Sequence, residues 1–94
     1  MNTIEQWMFA RSLAGHDHGK LYLIARVGDG CVYLADGKIR TLSNLKKKKI
    51  RHIQAEYRIP ELIREKLLQG CEIRDEDIRK VLKTKETIKC QKTM

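Results

Sequence analysis

Lys46-Lys47-Lys48-Lys49-Ile50-Arg51-His52 is the sharpest concentration of charge in this 94-residue chain. Four adjacent ammonium groups repel one another, and salt weakens that repulsion without abolishing it. Such a run has two uses: lying against a polyanion, or keeping a sheet edge or loop solvated and unpaired with other molecules. Strand side chains alternate between faces, so all four lysines reach one anionic surface only from a loop or an irregular edge, the conformation expected here. Lys38 and Arg40 precede the run and Arg58 follows it. About five phosphate contacts from this set would give a log–log salt slope of roughly −3 to −5. Ammonium groups act as point charges and carry little base information, so the expected recognition is of backbone and shape.

A second cluster is Gly15-His16-Asp17-His18-Gly19-Lys20. Its two glycines let backbone approach an anion closely, and successive amides in such a turn can form an anion-accepting nest, with Lys20 adding charge. The plainer alternative is a hairpin connection in which Asp17 bonds the loop amides. His16, Asp17 and His18 do not make a metal site, because neighbouring side chains in a turn seldom converge on one ion and no fourth ligand is apparent. Cys31, Cys71 and Cys90 are widely spaced with no Cys-x-x-Cys pair, which excludes zinc-finger and thioredoxin-type motifs and fits reduced thiols. No serine or cysteine has a recognisable nucleophile setting and no phosphate-binding Gly-rich loop is present, so neither catalytic residues nor a cofactor is expected. Tyr22, Tyr33 and Tyr57 could stack on unpaired bases at ~1–3 kcal/mol each. In so small a domain such rings more often fill the core, and Trp7 is expected to be a core or lid residue.

These clusters sit on a strongly cationic background. Twenty Lys and Arg against twelve Asp and Glu give a net charge of +8, which points to nucleic acid first and an acidic membrane surface second. Residues 1–59 hold eleven basic and five acidic residues, whereas residues 60–94 hold nine and seven, so the cationic field belongs to the N-terminal part. With 41% apolar and 34% charged residues, the composition suits one modest core. No apolar run matches a signal peptide or a spanning helix, and a soluble, cytoplasmic chain is expected.

The elements that must position the clusters change character near Arg58–Pro60. Before it, short strands are expected over Trp7–Leu13, Lys20–Val27, Cys31–Ala35, Lys38–Leu42 and Ile50–Ile53. Leu21–Ala25 reads as buried on both faces, and Asp36-Gly37 as a type I′ hairpin turn pairing the third strand with the fourth. Five strands in under sixty residues with no helix between them suggest a small antiparallel barrel over residues 1–58. After it, residues 59–94 read as a two-helix extension packed on the barrel. Pro60 opens the first helix, Ile59, Leu62, Ile63 and Leu67 form its stripe, and Gly70 stops it. Asp75 caps the second, with Ile78, Val81 and Leu82 as its stripe, and the tail frays from about residue 86.

The strand–loop–strand segment Phe9–Ala25, with Ser12, Gly15, Asp17, Gly19 and the aliphatic run Leu21–Ala25, resembles the KOW family of RNA-binding motifs. Val32–Arg40 and the lysine run extend the similarity over about residues 5–54, towards small bacterial proteins related to the archaeal and eukaryotic large-subunit ribosomal proteins of the fourteen-e type. The chain departs from the pattern at Trp7, where a glycine commonly opens the first strand, and at His16, where the loop often carries arginine. The resemblance implies a mostly-β SH3-like barrel that binds RNA, typically rRNA on or near the ribosome. The candidate RNA contacts are then Gly15, His16, His18, Gly19 and Lys20 in the loop, Lys38 and Arg40, and Lys46, Lys47, Lys48, Lys49 and Arg51 in the basic run.

The alternative is a protein-interaction adaptor in transcription or translation machinery, docking a partner through the helices of residues 60–85. Exposure of Leu62, Ile63, Leu67 and Val81 separates the two readings. Anionic lipid is a poor third, since the chain has no acylation signal and its helices carry mixed charge on small apolar faces.

Overall fold

The computed structural model describes the backbone of residues 3–92 and the side chains of residues 3–86. Five strands, β1 (Phe9–Ser12), β2 (Leu21–Val27), β3 (Cys31–Ala35), β4 (Lys46–Lys49) and β5 (Ile53–Glu56), precede two helices, α1 (Glu61–Leu68) and α2 (Asp75–Lys92). A single 3-10 turn, Ile50–His52, joins β4 to β5. The strands form one antiparallel sheet in the order β4-β3-β2-β1-β5. Among the described residues no helix is long and apolar enough to cross a membrane.

The sheet carries a hydrophobic core on each face. On one face Phe9, Leu21, Leu23, Ala25 and Ala35 pack beneath Ile63 of α1, Ile73, and Ile78 and Val81 of α2. On the other, Ala10, Tyr22, Ile24, Val32, Leu34 and Ile53 form a second core with Met8. Among the described residues Ile4, Ile50, Ala55 and Ile59 flank that second core and no helix residue belongs to it, so its burial requires the sheet to curl on itself. Two backbone bonds draw the 3-10 turn across: Ile50 N–H to the Gly30 carbonyl and Leu13 N–H to that of His52. The expectation that Leu21–Ala25 is buried on both faces holds for all five residues.

Two expected strands are corrected. Lys38–Leu42 is not a strand, and Asp36-Gly37 is not a two-residue hairpin turn. The Asp36 carboxylate accepts the N–H groups of Lys38 and Arg40 (2.8 and 2.9 Å), while the N–H groups of Asp36 and Gly37 return to the Arg40 carbonyl. This local closure satisfies the backbone without a partner strand and opens residues 36–45 into a long loop. The lysine run takes the vacated place beside β3: it is a regular edge strand, not an irregular one. Ile50–His52 forms the 3-10 turn, so the last strand starts at Ile53.

The helices follow their end signals more closely. Pro60 immediately precedes the first helical residue. Gly70 (φ +73°) ends α1 with its N–H on the Leu67 carbonyl and the Cys71 N–H on that of Lys66, the paired bonding of a left-handed glycine stop. Ile63 is fully buried, Ile59 and Leu62 are half-buried, and Leu67 is exposed beside Leu68. Asp75 does not cap its own helix: its carboxylate accepts Leu42 N–H at 2.8 Å and ties the 36–45 loop to α2. Capping falls to Asp77, which reaches back to Arg74 N–H at 3.0 Å. The helical backbone continues past residue 86, where fraying is expected, to Lys92, and the side chains of that tail lie outside the described residues.

Candidate nucleic-acid interface

Strand geometry divides the lysine run into two pairs. Lys46 and Lys48 stand opposite Leu34 and Val32, whose side chains enter the core inside the curled sheet. Lys47 and Lys49 stand opposite Tyr33 and Cys31 and face the other way, exposed. The expectation that all four reach one anionic surface is therefore corrected: a regular strand has a period of two.

The inward pair is held by Asp17. Its Oδ1 accepts Lys48 Nζ (2.8 Å) and Ser12 Oγ (2.9 Å), and its Oδ2 accepts the Tyr22 hydroxyl (2.7 Å) and pairs with Lys46 Nζ (3.2 Å). Burial alone would raise this carboxyl, but the hydrogen bonds from Lys48, Tyr22, Ser12 and Lys46 outweigh it and hold it far below the usual carboxylate range. Burial and the neighbouring Asp17 charge push the Tyr22 phenol up. Lys48 also donates to the Ala14 carbonyl at 2.8 Å. Asp17 thus bonds side chains across the sheet rather than the loop amides, and Tyr22 is a core residue.

The loop is closed in the same way. Gly15 and Gly19 have φ of +86° and +87°, which L side chains rarely adopt. The N–H groups of His18, Gly19 and Lys20 donate to the carbonyls of Gly15, Ser12 and Asp17. These three amides are thus spent inside the loop and do not form an anion nest. His16 and His18 are exposed at its tip. Among the described residues no group of three or more His, Cys, Asp and Glu side chains is placed to hold a metal ion.

The outward pair belongs to a row that crosses three strands. Tyr33 on β3 is the cross-strand neighbour of Lys47 on β4 and of Arg26 on β2. The Arg26 guanidinium lies 5.1 Å from the centre of the half-exposed Tyr33 ring. Lys49 extends the row along the edge strand, and Arg51 is exposed on the adjoining turn. Gly28 keeps the ring's other margin close to backbone, since a Cβ there would come within 3.1 Å of Tyr33 Cε2 and 2.9 Å of Cys31 Sγ. A bulge between Ile24 and Arg26 turns Arg26 outward from a strand whose preceding five residues are all buried. Arg26 is the residue that sequence reasoning missed; counting back from the Gly28-Asp29-Gly30 turn places it opposite Tyr33.

The remaining candidates gather at the opposite end of β2. Lys20 pairs with Asp36 at 2.6 Å, Lys38 is exposed, and Arg40 is half-buried under the loop it closes. Burial would raise the Asp36 carboxyl; the hydrogen bonds from Lys20, Lys38 N–H and Arg40 N–H bring it down. Gly19, Lys20 and Lys38 line a cleft completed by α2. The candidates therefore form two exposed groups and one buried anchor, not a single patch. No family model and no curated protein matches this chain.

Proposed function

We propose that this chain is an RNA-binding module, an SH3-like barrel of the KOW type working in the cytoplasm on or near the ribosome. The observation that carries the reading is the Arg26–Tyr33–Lys47 row, with Lys49 beside it, on an outward sheet face of a +8 protein. Cations there meet phosphates while an aromatic ring and a guanidinium plane lie between them, the combination that backbone-tracking, base-tolerant RNA recognition needs. The barrel assignment draws support from the strand order, which puts β4 and β5 at opposite edges of a curled sheet joined by one 3-10 turn. Nothing in the row reads base edges by a fixed pattern, so binding follows RNA shape and unpaired segments rather than sequence.

The alternation within β4 selects the test. Replacing all four lysines would remove the Asp17 anchor together with the surface, and lost binding would then report unfolding. Lys47→Ala/Lys49→Ala removes only exposed charge. In fluorescence anisotropy with labelled rRNA fragments the double variant should bind more weakly, with a log–log salt slope shallower by roughly 1.5, and melt like wild type. Cosedimentation with ribosomal subunits at graded salt should show the same loss. Equal affinity across the salt series would remove the row from the interface.

A further inference from the structure

Opposite the row, at the start of β2, lies a cleft of about 840 Å³ between the Gly19–Lys20 end of the first loop, the 36–45 loop and α2. Lys20, Lys38, Arg79, Lys80 and Lys83 line it, drawn from three separate elements. On α2, Lys83 lies four residues after Arg79 and three after Lys80, which puts it beside both. Of the three acids on its walls, Asp36 is occupied by Lys20 and two backbone N–H groups, and Glu86 faces Arg11 at 3.8 Å. Glu76 is left to offset Lys38, Arg79 and Lys80, so the cleft presents positive charge. The half-buried Leu82, with the edge of the buried Leu21, gives the lining an apolar part.

The walls are fastened before any ligand arrives. Arg79 donates to the Gly37 carbonyl at 2.5 Å and Leu42 N–H donates to Asp75 at 2.8 Å. Gly37 sits against α2 so closely that a Cβ would come within 2.5 Å of the Asp75 carbonyl oxygen. A cationic cleft held open by fixed walls loses little entropy on binding an anion.

We infer that α2 is half of a second RNA contact, in which Lys38, Arg79 and Lys80 hold phosphodiester groups and the apolar surface takes a ribose or base. This rests on the RNA-binding reading and extends it to a helix whose cations that reading does not use. Lys20 immediately precedes β2 and Arg26 lies near its far end, six residues on and about 20 Å along an extended chain, so one folded RNA can touch the cleft and the Tyr33 row together.

The test is fluorescence anisotropy with a labelled RNA hairpin bearing a single-stranded tail, over a salt series. It compares wild type, Lys38→Ala/Lys80→Ala, Lys47→Ala/Lys49→Ala, and Arg64→Ala/Arg74→Ala as a charge-matched control on exposed residues outside the cleft. The cleft variant should lose affinity by roughly tenfold near 0.1 M salt and flatten the salt slope by roughly 1.5, while the control changes each far less. Acetylation footprinting of the wild-type complex should show Lys38 and Lys80 protected. If wild type and the Lys47/Lys49 variant differ but the cleft variant matches the control, the cleft is not a contact and the RNA reading stands. If the cleft lysines are acetylated equally with and without RNA, the inference fails likewise. If wild type does not bind the hairpin at all, both fall together.

Discussion

Neutralising Asp17 should cost the domain a large share of its stability, and the size of the loss follows from the bonds it holds. Its carboxylate receives two ammonium groups and two hydroxyls, and the side chains of Asp17 and Lys48 are only 11% and 10% exposed. In Asp17→Asn the Lys48 charge stays where it is, nearly out of water and without a counter-charge. Removing one partner of a buried pair costs about 3–5 kcal/mol; with the amide oxygen still accepting a bond, about 3 kcal/mol is expected. For a domain this size that lowers Tm by roughly 12–24 °C, out of a total stability of about 5–14 kcal/mol. Urea melts of wild type, Asp17→Asn, Lys48→Met and the double variant form a cycle whose coupling should exceed about 1.5 kcal/mol. The acid limb gives a second reading. Asp17 titrates lower folded than unfolded, so its contribution is complete above the ordinary carboxylate range and is lost as pH falls below about 4 towards the folded value. Asp36 and Asp77 are lowered too, so Asp17→Asn should lose part of the wild-type acid sensitivity and keep the rest. A loss under 1 kcal/mol, or an acid limb like wild type's, would refute the view that Asp17 anchors the lysine strand.

Two backbone predictions accompany it. Trp7 is the non-glycine residue with left-handed backbone among those described, φ 75°. Trp7→Gly should therefore be more stable than Trp7→Ala in a thermal melt, by about 0.5–1 kcal/mol, because both lose the ring and only glycine escapes the left-handed penalty; the usual order, alanine above glycine, would contradict this. Gly37→Ala should lose more than about 2 kcal/mol, since strain at φ +78° adds to a collision with the backbone of Asp75 and Arg79. Gly30→Ala, at φ +72° with nothing within 4 Å, should lose only the strain, about 1 kcal/mol, and equal melting of the two variants would remove the loop–helix joint as a cause.

Where the 36–45 loop and the start of α2 depart from their sequence signals, a side-chain acceptor has intervened. Asp36-Gly37 carries the local composition of a tight hairpin, and a propensity scale cannot see that the Asp36 carboxylate will close the chain through Lys38 and Arg40 instead. Asp75 has the right place for a cap but faces Leu42, thirty-three residues away, and Asp77 caps from within the helix. Signals that depend on backbone alone did better. Gly70 ends α1, Cys31–Ala35 is a strand at its expected bounds, and the all-buried Leu21–Ala25 run anticipates a sheet covered on both sides. The cleft was invisible for a different reason: its cations come from residues 20, 38, 79 and 80, and only the packing of α2 on β2 brings them together.

The lysine run shows how one segment can satisfy two demands that composition cannot separate. Counted as charge, Lys46–Lys49 is uniform, and either description, phosphate surface or solvated edge, would apply to all four residues alike. Placed on a strand, the period of two sends alternate ammonium groups to opposite faces, and the inner face already holds a carboxylate from the glycine loop. That carboxylate offsets the repulsion that four adjacent lysines would otherwise impose on an edge strand, and it fixes β4 against β3 so that Lys47 and Lys49 stand beside Tyr33. Loop and lysine run, two independent clusters by composition, are one device: the loop supplies the anion that disciplines half the run, and only the other half stays exposed beside Tyr33. A domain that used the four lysines as a flexible brush would need no Asp17, and a domain that used the strand only as an edge would need no Arg26 turned outward by a bulge. Both are present in one chain: the inner pair anchors the strand through Asp17, and the outer pair is left exposed beside Tyr33 and Arg26.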